Sequence, residues 1–183
     1  MDRQVPGCRV PHAVARGPVS QRWAVVKISL VIPTWNAGPL LEEVLEAIEQ
    51  NPGAEELERI AVDSASADDT VERLRRHRFR VVSIPQREFN HGATRDLAIA
   101  ETSGDVIALL TQDATPADSQ WLPRLVESFA DPSVGAAYCR QVPRPDCNPF
   151  IARRIAEWTA GKTEQAVQRA ESPAAFSVLE PMK

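Results

Sequence analysis

The chain is poor in every device that holds a protein together from outside its core. Its three cysteines, Cys8, Cys139 and Cys147, form no C-x-x-C spacing. That argues against a disulfide scaffold or a zinc knuckle and fits a reducing cytosol. Histidine is equally sparse: His12, His77 and His91 are scattered, which argues against a histidine-based metal centre. No apolar run approaches the ~18–20 residues that span a bilayer. Charge of neither sign dominates. The net charge is −4 and the isoelectric point about 5.5, so composition gives no support to nucleic-acid binding. Three loop signatures are also missing: G-x-G-x-x-G for dinucleotides, G-x-x-x-x-G-K-[ST] for a P-loop, and the G-x-S-x-G hydrolase elbow.

What is present suits one globular domain: 183 residues, 43% of them hydrophobic, enough to bury a core. Residues 1–27 stand apart. Arg3, Arg9, Arg16, Arg22 and Lys27 face a single acid, Asp2, with Pro6, Pro11 and Pro18 between them. Lacking an apolar stretch, this segment is not a secretory signal. It reads as a disordered basic leader, with weak attraction to anionic lipid as the sharper alternative. A true start near Val25 or Val26 is a third reading.

Beyond the leader, strand and helix patterns alternate. Apolar β-rich runs occur at 28–32, ended by Pro33, at 60–62, at 80–84, at 106–110 and at 134–138. Between them, Leu40, Leu41, Val44, Leu45 and Ile48 fall at helical spacing. Ser66 with Asp69 resembles a capping box that opens a second helix, with Val71 and Leu74 inward. A third helix is predicted over 92–100 and a fourth over 121–129. Residues 151–171 read as one polar helix with Ile151, Ile155 and Trp158 inward. This alternation predicts an α/β fold: an open, mostly parallel sheet with helices on both faces.

Ligands of such sheets sit beyond the carboxyl ends of the strands. Those ends should present Thr34-Trp35-Asn36, Asp63-Ser64, Gln86-Arg87 and Gln112-Asp113 on one crevice. Asp63 ends strand two, where a ribose-binding acid would stand, yet the first turn lacks the glycines a dinucleotide needs. A strand that delivers Asp113 at its tip, beside a Gly turn that carries Arg95, is instead how an open α/β sheet builds an anion or metal site.

Four blocks in order carry a resemblance: Ser29–Asn36, Ala61–Thr70, Asn90–Asp96 and Leu110–Ala114. Together they resemble the family 2 glycosyltransferases with the GT-A fold. Phe89-Asn90-His91-Gly92, Thr111-Gln112-Asp113-Ala114 and Arg140-Gln141-Val142-Pro143 look most like rhamnosyltransferases that use a dTDP-sugar. The likeness covers residues 28–150, the expected nucleotide-sugar-binding domain. It implies donor-binding roles among Pro33, Thr34, Asn36, Asp63, Ser66, Gly92, Arg95 and Gln112, with Asp113 as the ligand of Mg²⁺ or Mn²⁺. Thr111 stands where the family's first metal Asp would be. Asp63, Arg95 and Asp113 are expected to meet around a pyrophosphate, with helix N-terminal amides adding positive potential there. The plainer readings are a turn residue for Asp63, a surface ion pair for Arg95, an N-cap or Asx-turn residue before Pro116 for Asp113, and packing for Trp35 and Trp121.

The resemblance implies inverting transfer of a sugar, rhamnose from a dTDP donor, to a glycan or lipid-linked acceptor of bacterial surface polysaccharide. A cytoplasmic protein is expected, with the inner membrane face as a further possibility, and a truncation that exposes part of the sheet or its apolar face would favour a homodimer. No general base is named. Residues 151–183 do not resemble an acceptor half, and Glu157, Glu164 and Glu171 suit a solvated helix face. A truncated transferase, or a nucleotide-sugar-binding module without activity, is the alternative.

Overall fold

A computed structural model describes residues 26–157. They fall into two units that meet between Val134 and Gly135 in the sequence. The first unit holds four strands: β1 Ile28–Thr34, β2 Glu58–Asp63, β3 Arg80–Ser83 and β4 Val106–Leu109. They form one parallel sheet in the order β3-β2-β1-β4. The helices are α1 Leu40–Glu49, α2 Thr70–Arg76, α3 His91–Ala100 and α4 Trp121–Glu127.

β1 is central, and both its faces are covered. That explains why its sequence is a continuous apolar run rather than an alternating one. Ile28, Leu30 and Ile32 point to one face. There they pack with Leu41, Val44, Leu45 and Ile48 of α1, Leu74 of α2 and Leu122 of α4. Val31 points the other way and joins Ile60, Val62 and Ala98 of α3. The helical spacing in α1 is what makes its buried stripe continuous.

Two sequence expectations in this unit need correction. β1 does not stop at Pro33; it runs through the proline to Thr34, pairing Pro33 with Val62 and Thr34 with Asp63. Nor does Ser66 cap α2. That helix starts four residues later at Thr70, whose N–H bonds Asp68 Oδ1 at 3.1 Å, while Ser66 is drawn back to Asp63. Propensity placed a cap there, and a buried carboxylate competed for the same hydroxyl.

In the second unit the expected strand 134–138 does not form; these residues are irregular. Gly135, Ala136 and Ala137 supply no β-branched side chains to pack a pleated surface. A helix, α5, spans Pro149–Glu157, and Asn148 Oδ1 accepts from Phe150 N at its start. Ile151, expected inward, is exposed, while Ile155 is half-buried. The leader up to residue 25 and the helix prediction from Trp158 onward lie outside the described residues. No helix among the described residues is long and apolar enough to cross a membrane.

Candidate functional site

The chain order around the sheet locates a crevice. β1, β2 and β3 step outward in one direction, then the chain crosses back to lay β4 on the other side of β1. The switch point therefore lies between the carboxyl ends of β1 and β4, where open α/β sheets bind ligands.

Pro33 opens that crevice. Residue directions alternate along a strand. Val31 O accepts from Leu110 N on the β4 side at 3.0 Å, and Thr34 O accepts from Ser64 N on the β2 side at 2.9 Å. Pro33 thus faces β4, and it has no N–H to offer. Pairing with β4 ends at Val31, whereas pairing with β2 continues to Thr34. The next residue on the β4 side is Trp35, and a side chain meets it. Trp35 N donates to Gln112 Oε1 at 2.8 Å, and Gln112 Nε2 donates to Trp35 O at 3.1 Å.

On the opposite flank of β1, Asp63 is 1% exposed. Its Oδ1 accepts from Thr34 Oγ1 at 3.0 Å and from Ser66 Oγ at 2.6 Å, and its Oδ2 accepts from Ser66 N at 2.9 Å. These bonds satisfy a buried charge that would otherwise be costly. Beyond them the two loops are stitched together. Asn36 N donates to Ser66 Oγ, Ala67 N to Asn36 Oδ1, Ala37 N to Thr70 Oγ1 and Gly38 N to Asp68 Oδ2. Asn36 and Ala65 adopt left-handed backbone, with φ of 41° and 60°, a conformation non-glycine residues hold only when their surroundings impose it. Asp68 is held below the usual carboxylate range, first by the Thr70 side chain and then by backbone N–H donors. Ser64 Oγ, next in sequence to Asp63, lies buried without a hydrogen-bond partner among the described residues.

The remaining candidates occupy the same edge of the sheet but do not touch one another. Asp113 follows β4 in a turn closed by Ala114 N to Thr111 O. It is exposed, and no described residue donates to its carboxylate, so it does not act as an Asx turn. Arg95 is the fifth residue of α3, in its second turn, and its Nη1 donates to His91 O at 2.8 Å. Among the described residues it forms no ion pair with Asp63 or Asp113. The N–H groups of Gly92 and Ala93, among the helix-terminal amides expected to add positive potential there, donate to Asn90 Oδ1. Trp121 packs against the core as expected, whereas Trp35 is 48% exposed and does not fill a packing role.

Among the described residues no three His, Cys, Asp or Glu side chains gather as a metal-binding cluster. Asp113 alone offers one hard oxygen donor, open to solvent beside the crevice. This fits Mg²⁺ or Mn²⁺ only where phosphate oxygens and water complete the shell, which is the usual habit of Mg²⁺. Sequence reasoning missed Asp68 and Thr70, whose side chains hold the β1 loop. The signal was their position after a strand tip, where Asp and Thr accept from backbone N–H groups.

Comparison with known proteins agrees with this architecture. The model of glycosyl transferase family 2 matches residues 29–178. The O-antigen chain rhamnosyltransferase RfbN of Salmonella typhimurium is 44% identical over 68% of this chain and 40% of its own length. The O-antigen chain rhamnosyltransferase WbaN of Salmonella anatum is 34% identical over 67% of this chain and 39% of its own. Among solved structures, the mannosyltransferase PcManGT of Pyrobaculum calidifontis, in complex with GDP-Man and Mn²⁺, superposes with a TM-score of 0.58. It is 28% identical, over 71% of this chain and 38% of that one. Glucosyl-3-phosphoglycerate synthase of Mycobacterium tuberculosis, in complex with Mn²⁺, UDP and glucosyl-3-phosphoglycerate, gives a TM-score of 0.52 at 27% identity, over 71% of this chain and 47% of that one. The chain thus spans about two fifths of the curated relatives it matches. On a parallel sheet whose switch point carries these motifs, and with most of its length matched, the chain belongs to glycosyl transferase family 2.

Proposed function

We propose that this chain binds a nucleotide-sugar donor at the β1/β4 switch point and transfers its sugar, with inversion, to a glycan or lipid-linked acceptor in the synthesis of bacterial surface polysaccharide. The observation that carries the reading is the crevice itself. Pairing of β1 with β4 stops at Val31, and Asp113, exposed and without a bond from any described residue, follows the Gln112 that reaches across to Trp35. The two O-antigen relatives are named rhamnosyltransferases, which supports rhamnose as the sugar; dTDP as its carrier is our reading of the motifs.

In this reading the stitched loops at Asn36 and Ser66 give the nucleoside a rigid floor, which lowers the ordering cost of binding. Thr34 and Ser66 hold Asp63 in one orientation at the base of that floor. Arg95, released from His91 O, swings toward the diphosphate and offers a charge-assisted contact. Asp113 would hold Mg²⁺ or Mn²⁺, which neutralises negative charge on the leaving diphosphate. Mn²⁺ and Mg²⁺ accompany nucleotides in structures of the related synthase. The free thiols Cys139 and Cys147 suit a reducing compartment, so we place the protein in the cytoplasm.

A second reading, binding without turnover, is favoured by the carboxylates downstream of Asp113. Asp118, Asp131 and Glu157 are each engaged locally, by Arg124, Ser133 and Arg153, and the other two among the described residues, Glu127 and Asp146, are exposed and bonded to no residue of the crevice. We therefore assign no general base.

Calorimetric titration with dTDP in the presence and absence of MnCl₂, followed by a turnover assay with dTDP-rhamnose, separates the readings. Binding strengthened by Mn²⁺ together with turnover supports the first. Binding without turnover supports the second, and an absence of binding overturns both.

A further inference from the structure

Gln112 was expected to touch the donor. Its amide is instead committed to the backbone of Trp35, accepting from the N–H at 2.8 Å and donating to the carbonyl at 3.1 Å. In a parallel ladder the same N–H and C=O would be taken up by two successive backbone groups of the neighbouring strand; here one side chain takes both. Both bonds occur where Pro33 has removed the backbone donor needed to continue the ladder. A side chain therefore resumes the β1–β4 pairing across the open crevice.

We propose that Gln112 is a positioning residue. By clamping the Trp35 peptide it fixes the tip of β4 against β1, and so sets the direction in which the adjacent Asp113 presents its carboxylate to a cation and diphosphate in the crevice. The inference rests on the reading of Asp113 as a cation ligand. Three observations carry it. The clamp is the structure's hydrogen-bonded link between the two loops that border the crevice: beyond the Leu110–Val31 backbone bond, the described contacts between these segments are the two made by Gln112. Asp113 has no described partner that could orient it, so the peptide it shares with Gln112 decides where it points. The other flank of Trp35 is already held, because Asn36, Ala37 and Gly38 are bonded to the β2 loop. Trp35 is thus an anchored point rather than a mobile one. Groups that orient a metal ligand without touching the metal typically change metal affinity about 10–100-fold when removed.

Two variants of the full chain test the proposal, Gln112→Ala and Gln112→Glu, with two readouts. The first is amide hydrogen exchange at Trp35. Gln112→Ala should speed it about tenfold or more, because it removes the acceptor of the Trp35 N–H, whereas Gln112→Glu keeps an acceptor there and loses only the bond to the Trp35 carbonyl; amides of β1 from Ile28 to Ile32 keep their protection in both. The second is dTDP affinity with and without MnCl₂. In both variants the strengthening by Mn²⁺ should fall about tenfold, with the metal-free dTDP affinity unchanged. A structural role alone would lower both affinities together. The Glu variant is decisive, since it adds a carboxylate next to Asp113. Tighter Mn²⁺ dependence in Gln112→Glu overturns the proposal, as does unchanged Trp35 exchange in Gln112→Ala. If the wild-type chain binds dTDP without any response to Mn²⁺, the underlying assignment of Asp113 fails and takes the inference with it. If the wild type responds and Gln112→Ala responds equally, the inference alone is overturned.

Discussion

At the scale of single residues, Asp63 shows how narrow the tolerances of this site are. Its two oxygens accept three hydrogen bonds inside a space closed to solvent. In Asp63→Asn, one end of the side chain becomes a donor facing other donors. The expected loss is about 2 kcal/mol of stability, read by urea unfolding. Two glycines make a contrasting pair. A Cβ on Gly104 would lie 2.5 Å from Ser29 Oγ and 2.7 Å from Ser29 N, so Gly104→Ala must displace β1 and should cost about 2 kcal/mol. Gly38 has open space around its Cβ position but a φ of 65°, so Gly38→Ala should cost about 1 kcal/mol, through backbone strain alone. Denaturant melts of the two variants should preserve that order. Asp63, Arg95 and Asp113 were legible as candidates from their places after strand and turn patterns. That Asp63 would be sealed by its own neighbours was not, because burial depends on which loop folds over it.

At the scale of elements, charge joins α1 to β2 and β1 to the entry of β4. Arg59 is buried in β2, where Glu49 of α1 pairs with it at 2.5 Å and the carbonyls of Ala54 and His77 accept at 2.6 and 2.8 Å. The Arg59 hydrogen bond holds the Glu49 carboxyl down at about 2. Glu58 is likewise held at about 2: burial opposes its ionisation, but donors from Ser29 and Ser103 outweigh it. Both groups titrate lower in the folded chain than in the unfolded one. Their stabilisation is therefore complete above the ordinary glutamate value of 4.5 and disappears as pH falls from there toward 2. Urea midpoints should decline over that window, and Glu49→Gln should flatten the decline while lowering stability at pH 7. The two glutamates stand partly in solvent, which screens the effect and makes the change in slope the measurement to trust. Periodicity predicted α1 and its buried stripe because side-chain spacing is local information. It could not foresee that Ser66 would abandon the helix cap for Asp63, since that competition is tertiary.

At the scale of the whole first unit, β4 is an outer strand of the sheet among the described residues. Leu109 in that strand is 47% exposed and Leu97 of α3 is 38% exposed. An apolar unpaired edge invites pairing with a second copy. Self-association of the chain is therefore expected in sedimentation velocity, and Leu109→Lys should shift the distribution toward monomer without lowering the melting temperature. A monomeric wild type would remove this expectation.

The alternation of apolar runs with helical stripes was enough, on its own, to determine a parallel sheet covered on both faces, because each pattern records which sides of an element must leave water. The order of motifs along the chain determined the family. Strand order was decided only in three dimensions: placing β4 beside β1 rather than β3 created the switch point. So was the consequence of Pro33, which reads in the sequence as the end of a strand. In the folded sheet it removes one donor on one side, and the crevice opens where that donor is missing. A hydrogen bond needs two partners, and the sequence names only one of them at a time.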